Sequence, residues 1–365
     1  MFLLISKRFI GLCEPVGNSI LNALGKFTFP VLAQLIVPAV AIAGLLTFGD
    51  RYGVKVIAIG MFIGQLLNLA LVSRYLTKMG YSIKPKWSAD YSLITTFLPQ
   101  YAPQVASALF IAAMPLVGSA LASTLASGSV ATFNLGNKVV LFATGLIGTA
   151  ITTVMLPYFS SFIAKDNLLE VRRELCFFLV ATTLLTVPAA LILYLLTDDV
   201  VALVFQGGAL GTSDVITLGR VIKFGIIQLP FFTCGMLLLR FAVANRQSTM
   251  VMLASFVGLG MGTALSYPLM SHMGVAGIAL ATTFTSVCSG GLLLMLIHRY
   301  GHIRWMDILM LGLNWSLFLT LILCLHFNSY AGVFVTVVAL VLLFTSQLSM
   351  LFGTTKAPRM IHNEA

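Results

Sequence analysis

Of the 365 residues, 59% are hydrophobic and only 9% are charged. A soluble domain carries about 25% charged residues, so this composition excludes the ordinary globular class. The net charge of +10 would suit nucleic acid, but the basic residues lie in short gaps between apolar runs. With no basic stripe interleaved with aromatics, nucleic acid is excluded as a partner and the charge reports membrane orientation instead.

A helix needs about 20 apolar residues to cross a hydrocarbon core of about 30 Å. On that ruler the chain is an all-α polytopic membrane protein of about eleven transmembrane helices. They are predicted at 3–24, 29–49, 54–76, 96–124, 129–160 and 168–196, then 218–244, 248–270, 275–297, 306–327 and 329–352. Lys7 and Arg8 interrupt the first apolar stretch instead of preceding it, which argues against a signal peptide. Cys13, Cys176, Cys234, Cys288 and Cys324 stand alone inside apolar runs and read as small buried hydrophobes.

The gaps between spans alternate in charge. One side collects Lys26, Arg74, Lys78, Lys84, Lys86, Lys165, Arg172, Arg173, Arg246, Arg299, Arg304, Lys356 and Arg359. The other holds only Arg51, Lys55, Arg220 and Lys223, with Asp198, Asp199 and Asp214 among them. The positive-inside rule makes the first side, and with it the C-terminus, cytoplasmic. Eleven spans then put Lys7 and Arg8 outside, an awkward start for the chain.

An internal repeat suggests why. Residues 22–75 and 244–300 each carry a small residue and a cation, an apolar span, a Gly-Val pair, and a second span closing on Arg-Tyr. The offset is about 221–225 residues. The later copy follows four spans (three within 96–196, then 218–244) and the earlier follows one, so three helices are expected to be missing from the front of a fourteen-helix plan.

Five segments carry a family resemblance: LNALGKFTFP (21–30), GSVATFNLGNKVVLFATGLIGTAITTVMLPYFS (128–160), VFQGGAL (204–210), LLLRFAVANRQST (237–249) and GVAGIALATT (274–283). In order and spacing the chain resembles the MurJ/MviN-type lipid II flippases of the MOP exporter superfamily. The match covers essentially the whole chain and begins at the family's fourth helix. The resemblance implies an incomplete two-lobe (6+6+2) transporter bundle. Residues 1–90 would be the remainder of the N-terminal lobe, 91–303 the C-terminal lobe, and 304–365 two extra helices with a cytoplasmic tail.

Ionised groups in hydrocarbon cost several kcal/mol and mark functional positions. Lys138 lies about ten residues into its span, too deep to snorkel easily. The family usually has an arginine there, implied to hold the pyrophosphate of a lipid-linked substrate. A lysine keeps the point charge but loses the bidentate fork; the alternative is a structural lysine that caps a neighbouring helix or lies in a wet crevice. Asn137 replaces an aspartate and could orient Lys138 or donate to phosphate. Arg240 is a further candidate, although it lies within a turn of the cytoplasmic end, where an interface anchor is the preferred reading. Arg220 and Lys223 read as outer anchors or steering charges.

Away from the span ends, Glu14 is the one acidic residue that falls within a predicted span, which argues against a carboxylate proton relay. The family's cation ligands align with Gly118, Gly262 and Ser266, so the resemblance argues against sodium coupling. The membrane potential, roughly 2.3 kcal/mol per charge per 100 mV, remains a drive. Gly258, Gly260 and Gly262 read as close helix packing, not a nucleotide loop. His298 and His302 do not read as a metal site.

The expected function is a non-enzymatic flippase with no cofactor. It would move a polyprenyl-pyrophosphate-linked saccharide, lipid II or an exopolysaccharide precursor, across the bacterial inner membrane by alternating access. The alternative is a transport-incompetent remnant that binds lipid or a partner. Expected partners are the lipid-linked substrate, membrane lipids and cell-envelope biosynthesis proteins.

Overall fold

The structure is a computed structural model. It describes residues 17–18, 20–21, 24, 26, 28–53, 55–81, 91–163, 168–205, 211–301, 303–327 and 330–355. The first predicted span, with Lys7, Arg8, Cys13 and Glu14, lies almost wholly outside them, as do residues 206–210 of the VFQGGAL segment.

The chain divides into two compact units, Met1–Asp90 and Tyr91–Ala365. The first contains α1 (Thr28–Gln34), α2 (Ile36–Tyr52) and α3 (Lys55–Lys78). The second contains α4 (Tyr91–Ala122), α5 (Ser129–Ile163), α6 (Leu168–Phe205), α7 (Thr212–Ile226) and α8 (Leu229–Ala244). It continues with α9 (Ser248–Met273), α10 (Val275–Arg299), α11 (Trp305–His326) and α12 (Tyr330–Thr355). Among the described residues, eight helices are long and apolar enough to cross a membrane, or nine when α7 and α8 count as one bent span. In α12 the described apolar stretch is the shorter Ala331–Thr345.

The packing inverts the soluble pattern. Leu203, Leu46 and Leu116 are 89%, 81% and 71% exposed, whereas Asn68, Thr183, Thr186, Ser266 and Asn314 are fully buried. In lipid, apolar side chains gain nothing from leaving the surface, while every polar group needs an internal partner. Buried hydroxyls meet that need locally: Thr183 donates to the Leu179 carbonyl at 2.9 Å, Thr186 to Thr182 at 2.7 Å and Thr144 to Val140 at 2.9 Å. The main core of the second unit joins α6, α7, α8, α10 and α11, with Val140 of α5 and Met250, Val251 and Ala254 of α9. There Phe231 meets Trp315 edge-on with ring centroids 5.1 Å apart.

The internal repeat has a structural counterpart. Gly53 joins α2 to α3 at φ 58, ψ −146, and Gly274 joins α9 to α10 at φ 59, ψ −136. Both sit 221 positions apart in the left-handed region that favours glycine. The helix pairs also cross in one register. A Cβ on Gly64 would fall 2.7 Å from Val37 Cα, and one on Gly258 would fall 3.2 Å from the Thr285 carbonyl oxygen. Residues 37 and 64 correspond to 258 and 285, with the glycine moved to the other helix.

Two predicted spans change shape, each at a proline. A proline lacks the N–H that would bond the carbonyl four residues back, and its ring crowds that carbonyl. Pro38 lies four residues after Gln34, where α1 ends, and Pro230 lies four after Ile226, where α7 ends. The single helix expected at 218–244 is therefore two, α7 and α8, bent by 43°. At this break the Gln228 N–H bonds Gly225 at 3.3 Å, and the Phe224 carbonyl accepts from the Thr283 hydroxyl at 2.9 Å.

Helix α6 also runs past its expected end at 196 to Phe205, so Asp198 and Asp199 are helical residues instead of loop residues. Backbone hydrogen bonding carries a helix through two carboxylates once its apolar body is fixed. Asp198 forms an ion pair with Lys223 of α7, whose ammonium lies 5.7 Å from the Tyr194 ring centroid. Lys223 is thus tied into the α6–α7 contact, not left free as a steering charge. The two side chains are 26% and 69% exposed, so the pair contributes about 0.2–1 kcal/mol. Reversing either charge alone should lower thermal stability by that order, and the double reversal Asp198→Lys with Lys223→Asp should recover it. Thermal unfolding of the purified protein in detergent reads this directly.

Candidate functional site

Helix α5 positions the sequence-predicted residues. Lys138 lies nine residues, or about 14 Å, into it from Ser129. Its side chain is exposed and has no ion-pair partner among the described residues. Asn137, one residue earlier, is half-buried and lines a cavity of about 290 Å³ inside the second unit. Adjacent helical residues point about 100° apart, so the two side chains occupy different faces.

Arg240 is not brought to Lys138. Cβ positions on α5 and α7–α8 pair in order. One on Gly136 would be 2.5 Å from Val221, one on Gly225 2.7 Å from Val140, and one on Gly148 3.8 Å from Thr233. The helices run parallel at a constant offset of 85, which sets Arg240 level with residue 155. That is 17 residues beyond Lys138, roughly 25 Å along the axis. Arg240 is exposed near the last turn of α8. One diphosphate cannot span that distance.

The positions aligned with the family's cation ligands are packing positions. A Cβ on Gly118 would collide with the Phe133 ring, and one on Gly262 with the Thr285 hydroxyl. Ser266 is buried and its hydroxyl donates to the Gly262 carbonyl at 2.7 Å. These residues bring α4, α9 and α10 close together and present no carboxylate. Among the described residues no group of three or more His, Cys, Asp or Glu could hold a metal ion. His298 is occupied structurally, with Nδ1 2.8 Å from the Ile303 carbonyl oxygen and its ring 5.4 Å from Trp305. His302 lies outside the described residues.

The sequence reading missed Gln228. It stands at the α7–α8 break, is only 7% exposed and lines the cavity with Asn137. Its signal was present: a lone carboxamide in an apolar run, two residues before a proline.

The fold defines the class first. An inward-facing multidrug MATE-family transporter of the MOP superfamily superposes with a TM-score of 0.65 at 14% identity, over 85% of this chain and 71% of that one. A structure titled "Lipid II flippase MurJ, inward closed conformation" superposes with a TM-score of 0.68 at 18% identity, over 96% and 73%. The helices therefore adopt a MOP-type transporter fold.

The family model "Lipid II flippase MurJ" matches residues 2–360, and the chain belongs to that family. Two relatives named "Probable lipid II flippase MurJ" agree. That of Buchnera aphidicola subsp. Baizongia pistaciae is 26% identical over 68% of this chain and 49% of its own length. That of Bdellovibrio bacteriovorus is 25% identical over 77% and 54%. The chain spans about half the length of these relatives.

Proposed function

We propose that this chain takes part in moving a polyprenyl-pyrophosphate-linked saccharide from the cytoplasmic to the outer leaflet of a bacterial inner membrane. Lipid II is the first cargo to test, with an exopolysaccharide precursor second. Family membership across residues 2–360 supports the transport class. The observation that carries the substrate class is Lys138, an exposed cation about 14 Å into an apolar helix.

A lysine at mid-membrane costs about 2.5–3.5 kcal/mol on insertion scales. An anionic phosphate offsets it through a charge-assisted hydrogen bond, which contributes about 1.5–3 kcal/mol. Residues 1–90 serve as part of the N-terminal lobe, 91–303 as the C-terminal lobe and 304–365 as added helices and tail. The charge asymmetry of the connections supports a cytoplasmic C-terminus. Arg240 lies near a helix end and anchors that end at the interface.

Expression in a strain depleted of its own lipid II flippase tests the reading. The expected result is restored growth, with lipid II reaching the outer leaflet. Membrane-inserted protein at normal level with neither outcome contradicts lipid II as cargo. Restored export of another polyprenyl-linked saccharide in its place selects the second cargo.

A further inference from the structure

We propose that the cavity within the second unit is a binding site for an uncharged, largely apolar molecule that carries a hydrogen-bond acceptor oxygen. The site is separate from Lys138 and does not rest on any transported cargo.

The volume, about 290 Å³, exceeds that of a packing defect many times over; each water in the liquid occupies about 30 Å³. Among the described residues no lysine, arginine, histidine, aspartate or glutamate lines it. A charged headgroup would find no counter-ion among them. The walls are mostly aromatic and aliphatic, with Phe110, Phe231 and Phe232 among them. Such walls favour an apolar body.

The polar groups select the rest of the ligand. Thr282 and Thr285 spend their hydroxyl protons on the Ala279 and Ala281 carbonyls of their own helix, at 2.7 and 3.0 Å. Ser286 Oγ stands 3.2 Å from both Gln228 Oε1 and the Thr282 carbonyl oxygen, one proton for two acceptors. The Gln228 amide N–H groups have no acceptor among the described residues, and although the residue is only 7% exposed they are not sealed from the cavity space. An apolar occupant without an acceptor would cover those donors and leave them unmatched, at a cost of about 1–3 kcal/mol. A carbonyl, ether or hydroxyl oxygen on the ligand removes that cost. Gln228 stands in the break between α7 and α8, so an occupant also bears on the 43° bend.

Benzophenone is a suitable probe: neutral, apolar, with one ketone acceptor, and on irradiation it inserts into nearby C–H bonds, those of methionine foremost. Met114 and Met236 line the cavity, while Met261 and Met295 are 45% and 57% exposed and serve as references. In the whole purified protein, labelling at Met114 and Met236 should saturate with benzophenone, while labelling at Met261 and Met295 rises linearly. Gly235→Leu fills the cavity, since an added Cβ there meets only Gly290 Cα at 3.8 Å and the branched end points into space. It should abolish the saturable labelling. Gln228→Leu keeps the volume and removes the donor, and should weaken half-saturation about 3- to 10-fold, the worth of one hydrogen bond. Linear labelling at all four methionines, or saturable labelling unchanged by Gly235→Leu, overturns the site. Unchanged half-saturation in Gln228→Leu overturns the requirement for an acceptor.

Discussion

Lys138→Ala should abolish rescue of a flippase-depleted strain at equal membrane expression, while Lys138→Arg should retain it. The alanine variant loses a charge-assisted contact of about 1.5–3 kcal/mol, or roughly 10- to 150-fold in phosphate affinity. Arginine keeps the charge and adds the planar fork that suits phosphate. Folding does not confuse the outcome, because the Lys138 side chain is exposed and no ion pair among the described residues depends on it. Removing a membrane-embedded charge should, if anything, ease insertion. Growth and quantitative membrane immunoblots of the three forms together read the result.

Gly277→Ala should be the most damaging small substitution in the α9–α10 pair. A Cβ there collides with the Leu269 carbonyl and lies 2.9 Å from the Met270 backbone nitrogen. The obstacle is backbone, which cannot rotate away as a side chain would. Overpacking of this kind costs about 1–3 kcal/mol or more, and Gly277→Leu should leave no folded protein. Gly291, on the same helix, has open space where its Cβ would go, so Gly291→Ala is the matched control and should be neutral. Thermal unfolding in detergent separates the two, and equal midpoints for Gly277→Ala and the parent would contradict the packing account. The glycine of the GVAGIALATT segment thus has a physical reason: the helices meet within a few residues of the Gly274 turn.

Much of this architecture was legible because hydrocarbon length and helix length are the same constraint. The spans expected at 129–160 and 275–297 are Ser129–Ile163 and Val275–Arg299. The pairing of 22–75 with 244–300 was legible too, since a Gly-Val step that needs positive φ leaves a fixed mark. Hydropathy failed where the helix outruns its apolar stretch, at Asp198 and Asp199 in α6. It also failed where a proline can either break a helix or be absorbed. Pro188 and Pro268 lie inside continuous helices, whereas Pro230 ends one. The Phe224 carbonyl at that break is met by Thr283, 59 residues on in the chain, a contact no local pattern encodes.

The candidate site was only partly legible for the same reason. Lys138 and Arg240 are both cations in apolar runs, told apart in the sequence only by depth, Arg240 lying within a turn of its span's end. The parallel packing of α5 against α7–α8 sets them roughly 25 Å apart. Asn137 was singled out for its neighbour and turns out to line a different space, together with Gln228.

The most direct measurement is the transbilayer distribution of lipid II, read by its accessibility to an externally added hydrolase in spheroplasts of the depleted strain. The account predicts that the parent chain and Lys138→Arg restore outer-leaflet lipid II, while Lys138→Ala leaves it in the inner leaflet. Equal restoration by Lys138→Ala at matched membrane levels would contradict it.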